Sequence, residues 1–247
     1  MNKGHSIFRV KICGITSVDD ARAVAAAGAD AVGLNFYAKS PRHVSVEKAR
    51  EIVAALPREM VKVGLFVNAP AEEVCQTFDA LGLDLIQLHG DEPPVYLTHL
   101  GDRPVMRAFR FGPGGLQSPK FLDPDQPVRR TPRVPDALES MGSYLGHCGR
   151  LGCTPRLVLA DSYVEGTYGG SGRVADWERL KGYPFGSPCP PLVLAGGLTP
   201  ENVGEAIRTV RPAAVDTASG VESSPGRKDP AAVAAFVRAA RHAFGDR

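Results

Sequence analysis

Phe8-Arg9-Val10-Lys11-Ile12-Cys13-Gly14-Ile15-Thr16, near the start of the 247-residue chain, decides between the two folds its patterning allows. The apolar run predicts a first strand over Phe8–Cys13. An open doubly wound sheet would follow that strand with a Gly-x-Gly-x-x-Gly turn. Cys13-Gly14-Ile15-Thr16 stands there instead. Outward from this stretch, further strands are predicted over Ala31–Phe36, Val61–Val67, Leu83–Leu88, Val105–Phe109, Arg156–Ala160, Leu192–Ala195 and Ala213–Thr217. Several are near-continuous apolar runs, such as Leu157-Val158-Leu159-Ala160, which suits strands covered on both faces of a parallel sheet.

Helical stretches alternate with these strands. Val46, Ala49, Ile52, Val53 and Leu56 share one face, with Ser45 as N-cap and Pro57 as the stop. Thr199-Pro200-Glu201 supplies a cap, a first-turn proline and a first-turn acid ahead of Val203, Ala206, Ile207 and Val210. Asp229-Pro230 opens the last helix in the same way. Eight strands, each followed by a helical stretch, predict an α/β chain folded as one (β/α)8 barrel domain. One segment breaks the rhythm. Gly112–Pro155 is rich in Pro, Gly and Arg and reads as an insertion between the fifth and sixth strands, with a helix over Val134–Leu145. Its His147, Cys148 and Cys153 read as loop residues without a metal, because no second Cys-x-x-Cys pair accompanies them.

Composition narrows the function classes. The balance of 29 Lys plus Arg against 27 Asp plus Glu argues against a nucleic-acid footprint. No apolar run approaches the ~18 residues of a membrane span. The start leads directly into a strand with no signal-peptide core, so the expectation is a cytoplasmic protein. Five cysteines, an odd number, are expected to be free thiols in a reducing compartment.

In a barrel of this kind the chemistry gathers at the C-terminal ends of the strands. Those positions hold Cys13, Arg42 beyond Asn35, His89, Asp161, Gly196-Gly197, Asp216 and Ser219-Gly220. The two glycine turns, on the last two strands, make an anion cradle of backbone N–H groups. Asp161, ending an apolar strand, is a candidate general acid, since desolvation raises a carboxyl pKa. Cys13 is a candidate base if a nearby positive group favours its thiolate. Arg42 offers a planar fork for a carboxylate, Lys11 points into the barrel, and Lys39 is a solvated surface residue. His89 is either a satisfied core histidine or a substrate contact. Gly169-Gly170-Ser171-Gly172 reads as a loop that could close over a ligand.

Together these residues resemble a known family. Val10-Lys11-Ile12-Cys13-Gly14-Ile15-Thr16, Lys39-Ser40-Pro41-Arg42, Val63-Gly64-Leu65-Phe66-Val67-Asn68 and Gln87-Leu88-His89-Gly90-Asp91-Glu92 carry the resemblance in the first half. Gly169–Gly172, Ala195-Gly196-Gly197-Leu198-Thr199-Pro200-Glu201-Asn202 and Val215-Asp216-Thr217-Ala218-Ser219-Gly220-Val221-Glu222 carry it in the second. In this order they resemble the phosphoribosylanthranilate isomerases of tryptophan biosynthesis. The resemblance implies an Amadori rearrangement of N-(5-phosphoribosyl)anthranilate to 1-(2-carboxyphenylamino)-1-deoxyribulose 5-phosphate. It assigns the general base to Cys13 and the general acid to Asp161. It further implies Arg42 at the anthranilate carboxylate, His89 and Asp216 near the sugar, and Gly196, Gly197, Ser219 and Gly220 at the phosphate. It implies no metal or redox cofactor, no partner beyond the phosphorylated small molecule, and a monomer or homodimer. Two departures stand out: the long Gly112–Pro155 stretch, and Ala160 where the family commonly has Leu before the acid.

Two other readings compete. A sister isomerase acting on a phosphoribosyl aminoimidazole would have an acidic residue ending the first strand and two self-similar halves; Cys13 stands there instead. A non-catalytic barrel kept for binding would not need Cys13, Asp161, Arg42 and both glycine turns together.

Overall fold

The computed structural model describes residues 7–112, 115–118, 137–162, 177–183 and 189–245. Its strands and helices alternate as β1 (Val10–Cys13), α1 (Val18–Ala26), β2 (Ala31–Asn35), α2 (Val46–Ala54), β3 (Val61–Phe66), α3 (Ala71–Leu81), β4 (Leu85–Leu88) and α4 (Pro94–Leu97). Then come β5 (Val105–Gly112), β6 (Gly115–Ser118), α5 (Ala137–Arg150), β7 (Leu157–Ser162), α6 (Trp177–Leu180), β8 (Leu192–Leu194), α7 (Val203–Val210), β9 (Ala214–Thr217) and α8 (Pro230–Phe244). A hairpin of β10 (Glu222–Ser224) and β11 (Arg227–Lys228) precedes α8.

Eight strands close into a parallel barrel. β1 pairs with β2, β2 with β3, β3 with β4 and β4 with β5. β5 then pairs with β7, β7 with β8, β8 with β9, and β9 returns to β1. All eight predicted strands are therefore present. Side-chain alternation divides the core in two. Ala31, Val63, Leu85, Met106, Leu157, Val193 and Ala214 fill the lumen with Phe8. Their neighbours, such as Val10, Ile12, Val32, Leu34, Ile86 and Val158, face the helices. Both faces of each strand are thus buried, which explains the continuous apolar runs.

The predicted caps hold at two helices. Ser45 accepts from Lys48 N at 3.2 Å, and Asp229 accepts from Ala231 and Ala232 N. α7 differs: it starts at Val203, and Thr199 O receives the N–H groups of Asn202 and Val203 in a lead-in turn. β5 runs on to Gly112 and folds back antiparallel as β6, beyond the predicted end at Phe109.

α5 also differs from the sequence reading. It extends to Arg150, and Met141, Tyr144 and Cys148 are buried in the outer core. It takes the place of the fifth helix in the outer layer, so this part of the Gly112–Pro155 stretch belongs to the barrel's alternation. His147 and Cys148 are helical rather than loop residues, and Cys153 follows the helix end. No helix among the described residues is long and apolar enough to cross a membrane.

Candidate active site

Along the lumen, apolar side chains give way to polar ones toward the C-terminal ends of the strands. β1 presents Lys11 and then Cys13; β4 presents Leu85, Gln87 and then His89 just past its end. On β7, Asp161 follows Leu157 and Leu159 on the same face, and on β9 Asp216 follows Ala214. These groups meet at a cleft of about 550 Å³, its open mouth included. Cys13, Arg42, His89, Asp161, Gly196, Gly197, Asp216 and Ser219 all line it. Of the predicted site residues, Gly220 alone is not part of the lining. Asn35, at the end of the second strand, lines it too, as do Ser40 and Gln87, which were not singled out from the sequence.

Cys13 is buried, and a cation lies close by. A Cβ on Gly33 would stand 2.6 Å from Cys13 Sγ and 3.0 Å from Lys11 Nζ, so both polar ends occupy room that only glycine leaves. Lys11 Nζ donates to Asp216 Oδ1 at 3.0 Å. Burial pushes the Cys13 thiol up, and the Lys11 ammonium pulls against it without fully offsetting it. Burial would lower Lys11, but Asp216 and Cys13 outweigh it and its pKa is raised. Asp216 is raised chiefly by burial, with Lys11 opposing and Asp161 adding to the rise.

Asp161 is reached from β4. His89 Nε2 lies 3.1 Å from Asp161 Oδ2, and His89 Nδ1 lies 2.9 Å from Gln87 Nε2. His89 is therefore both buried and part of the cleft, which joins the two alternatives that the sequence left open.

Arg42 reaches the mouth by lying across Gly14, where φ is +76° and an added Cβ would meet Arg42 Cδ at 2.5 Å. Its planar fork is already engaged. Nε and Nη2 donate to Glu222 Oε1 and Oε2 at 2.8 and 2.7 Å. Lys228 Nζ donates to the same Glu222 Oε1 at 2.8 Å. Sequence reasoning assigned the fork to a ligand carboxylate and missed Glu222 and Lys228, because the β10–β11 hairpin brings them across 180 residues of chain. Ser40 Oγ accepts from Asn35 Nδ2 and Arg42 N, which secures the loop that carries the arginine. Lys39 is exposed, as expected.

The two glycine turns pack against each other. Gly196 and Gly197 have φ of +87° and +66°. Asn202 Nδ2 donates to Gly197 O and Asn202 Oδ1 accepts from Thr199 N, which ties the first turn to the start of α7. Thr217 Oγ1 donates to Leu198 O at 2.7 Å. A Cβ on Gly220 would run into that same carbonyl, so only glycine permits the close approach. The Gly169–Gly172 loop lies outside the described residues.

This geometry has counterparts among known proteins. The family model for N-(5'-phosphoribosyl)anthranilate (PRA) isomerase matches residues 10–117 and 116–239. The chain is similar to the N-(5'-phosphoribosyl)anthranilate isomerase of Pseudomonas aeruginosa strain UCBPP-PA14, with 47% identity over 94% of this chain and 95% of the relative. The Geobacter sulfurreducens protein of the same name is 43% identical over 95% and 99%. Among solved structures, the phosphoribosyl anthranilate isomerase of Thermotoga maritima superposes with a TM-score of 0.75 at 35% identity, over 95% of this chain and 99% of that one. Another isomerase structure, in complex with reduced 1-(o-carboxyphenylamino)-1-deoxyribulose 5-phosphate, has a TM-score of 0.71 at 34% identity over the same shares. A barrel of this topology, with these groups at its mouth and relatives matched along nearly their whole length, is a member of the N-(5'-phosphoribosyl)anthranilate isomerase family.

Proposed function

We propose that Cys13 and Asp161 carry out the family's reaction, the conversion of N-(5-phosphoribosyl)anthranilate to the 1-deoxyribulose 5-phosphate by general base and general acid catalysis. The observation that carries this reading is the convergence of both groups on one cleft, each with its own buried support.

The steps balance without an outside electron carrier. Asp161 gives its proton to the furanose ring oxygen as the C1–O bond breaks, and the anilino nitrogen lone pair forms an iminium ion. That cation acidifies the C2–H bond. Cys13, as the thiolate, takes the C2 proton, and the C–H electrons form the C1=C2 bond of an enolamine as the iminium electrons return to nitrogen. Protonation at C1 and loss of the enol proton give the C2 ketone. The Lys11 ammonium favours the thiolate, which burial alone would disfavour.

The remaining groups hold the substrate. Glu222 takes two N–H groups of Arg42 and leaves the Nη1 side for the anthranilate carboxylate. The phosphate lies against Gly196, Gly197 and Ser219, where backbone N–H groups can receive it without a lysine, and Gly220 holds that turn against the Leu198 carbonyl. Asp216 acts through Lys11, and His89 through Asp161.

The deciding experiment follows loss of anthranilate-type fluorescence when the protein meets phosphoribosylanthranilate generated in situ. Wild type is expected to quench the signal and Asp161→Asn to leave it. Cys13→Ala is expected to lose at least ~10²-fold in turnover. Undiminished turnover in Asp161→Asn would sink the acid assignment, and in Cys13→Ala the base assignment.

A further inference from the structure

We propose that Lys228 is a positioning residue for carboxylate recognition: by sharing Glu222 with Arg42, it leaves the arginine with positive charge to offer the anthranilate carboxylate of the substrate. This deepens the reading of Arg42 as the group that receives that carboxylate, and rests on it.

Arg42 by itself would be a poor receptor for an anion. Its Nε and Nη2 already donate to the two oxygens of Glu222. A guanidinium in a two-point pair with a carboxylate is neutral as a unit, so a second carboxylate gains little from its charge. Lys228 changes that balance. Its Nζ donates at 2.8 Å to Glu222 Oε1, the oxygen that also accepts from Arg42 Nε. The side chains of Lys228 and Glu222 are 0% and 4% exposed, so water and salt screen the cluster weakly. Two cations against one carboxylate leave it at +1. Arg42 lines the cleft and Lys228 is not part of the lining, so a ligand meets the excess charge through Arg42.

The hairpin fixes the ammonium in place. Glu222 of β10 and Lys228 of β11 are register partners, so their side chains leave the same face. Lys228 Nζ also donates to Ala218 O at 3.1 Å, and its backbone N–H donates to Asp20 Oδ2 at 3.3 Å. The tip of the hairpin is pressed onto the loop that carries Arg42: Thr16 Oγ1 donates to Gly226 O, and a Cβ on Gly226 would stand 3.0 Å from Pro41 O. Both oxygens of Glu222 would keep Arg42 as a partner if Lys228 were replaced. Burying an ammonium is unfavourable, and burial does draw the Lys228 pKa below its ordinary 10.5, with Glu222 opposing. A lysine that the pairing of Glu222 does not require, held where burial opposes its charge, is accounted for by that charge.

The test compares two inhibitors: reduced 1-(o-carboxyphenylamino)-1-deoxyribulose 5-phosphate, and the same compound without its carboxyl group. Wild type is expected to bind the first more tightly by about ten-fold or more. Lys228→Met is expected to weaken the first by about ten-fold and the second by no more than about three-fold. In turnover, KM should rise by about ten-fold with kcat within about three-fold. Lys228→Gln keeps an N–H donor without the charge and is expected to match Lys228→Met; it carries the comparison if the methionine variant does not fold. Wild-type affinity for the carboxylate compound in Lys228→Gln would show that a hydrogen bond suffices, and would overturn the proposal. Equal weakening of both compounds, which a structural role predicts, would overturn it as well. So would a fall in kcat with the preference between the compounds intact, which would place the charge of Lys228 at Cys13. Equal binding of the two compounds by wild type is a separate failure, because it removes the reading of Arg42 beneath the proposal.

Discussion

Lys11 Nζ stands 3.0 Å from Asp216 Oδ1 with the lysine side chain wholly buried, an ion pair inside the barrel on the same strand face as Cys13. Removing one partner of such a pair strands the other charge, at about 3–5 kcal/mol. Lys11→Met is expected to lose stability on that scale in urea unfolding. Lys11→Met with Asp216→Leu is expected to recover most of it. Both variants remove the cation beside the thiol, so alkylation of Cys13 by iodoacetamide should slow by about ten-fold or more near pH 8.

Alkaline conditions act through buried thiols. Burial, reinforced by Cys153, pushes the Cys148 thiol from its ordinary 9.0 up to about 12. Between those values the unfolded chain has released the proton and the native protein has kept it, so stability falls as pH rises. Cys13, Tyr96, Tyr144 and Tyr183 are raised chiefly by burial and act in the same direction. Urea midpoints should drop from about pH 9 upward toward pH 12, and Cys148→Ala should show a shallower drop.

Acid acts through Glu222. Burial would raise its carboxyl, but Arg42 and Lys228 outweigh that effect and hold it below its ordinary 4.5. Its contribution is therefore present above about pH 4.5 and is lost as pH falls through the depressed value. Glu222→Gln should be less stable than wild type at neutral pH and should lose less on acidification. Because the change also frees Arg42, KM for the substrate should rise by about ten-fold, as steady-state kinetics would show.

Gly220→Ala tests the joint between the two glycine turns. The new Cβ meets the Leu198 carbonyl, and backbone cannot yield as a side-chain end can. Overpacking of this kind costs about 1–3 kcal/mol. The expected result is a lower melting temperature together with a KM raised by about ten-fold or more. An unchanged KM would show that the joint does not shape the phosphate site.

The strands were legible because burial on both faces leaves an unbroken apolar signature, and the lumen groups because strand ends mark where a barrel does its chemistry. Cys13, Asp161, His89 and Asp216 could be picked out on that ground alone. Their partners could not. Nothing local ties Arg42 to Glu222 or Lys11 to Asp216, since each pair is joined only when distant segments pack. Gln87 was hidden for a different reason: a glutamine between Ile86 and Leu88 reads as an ordinary strand residue until its inward face and its contact with His89 are known. The far end of α5 was obscured by Gly142, Gly146 and Gly149, which are poor helix formers. Tertiary burial of Met141, Tyr144 and Cys148 overrides that weakness.

The barrel closes where β9 meets β1, with Lys11 opposite Asp216 in the register. Arg241 of α8 reaches back to Asp30, and the Arg9 guanidinium lies over the Phe244 ring. Cys13 and the ion pair beside it are thus joined by a late event in the life of the chain. While a ribosome is still adding residues, Cys13 has neither a closed barrel around it nor the carboxylate that fixes its lysine. Activity is therefore expected only after β9 has been made and the seam has shut, which leaves the newborn polypeptide silent by its own topology.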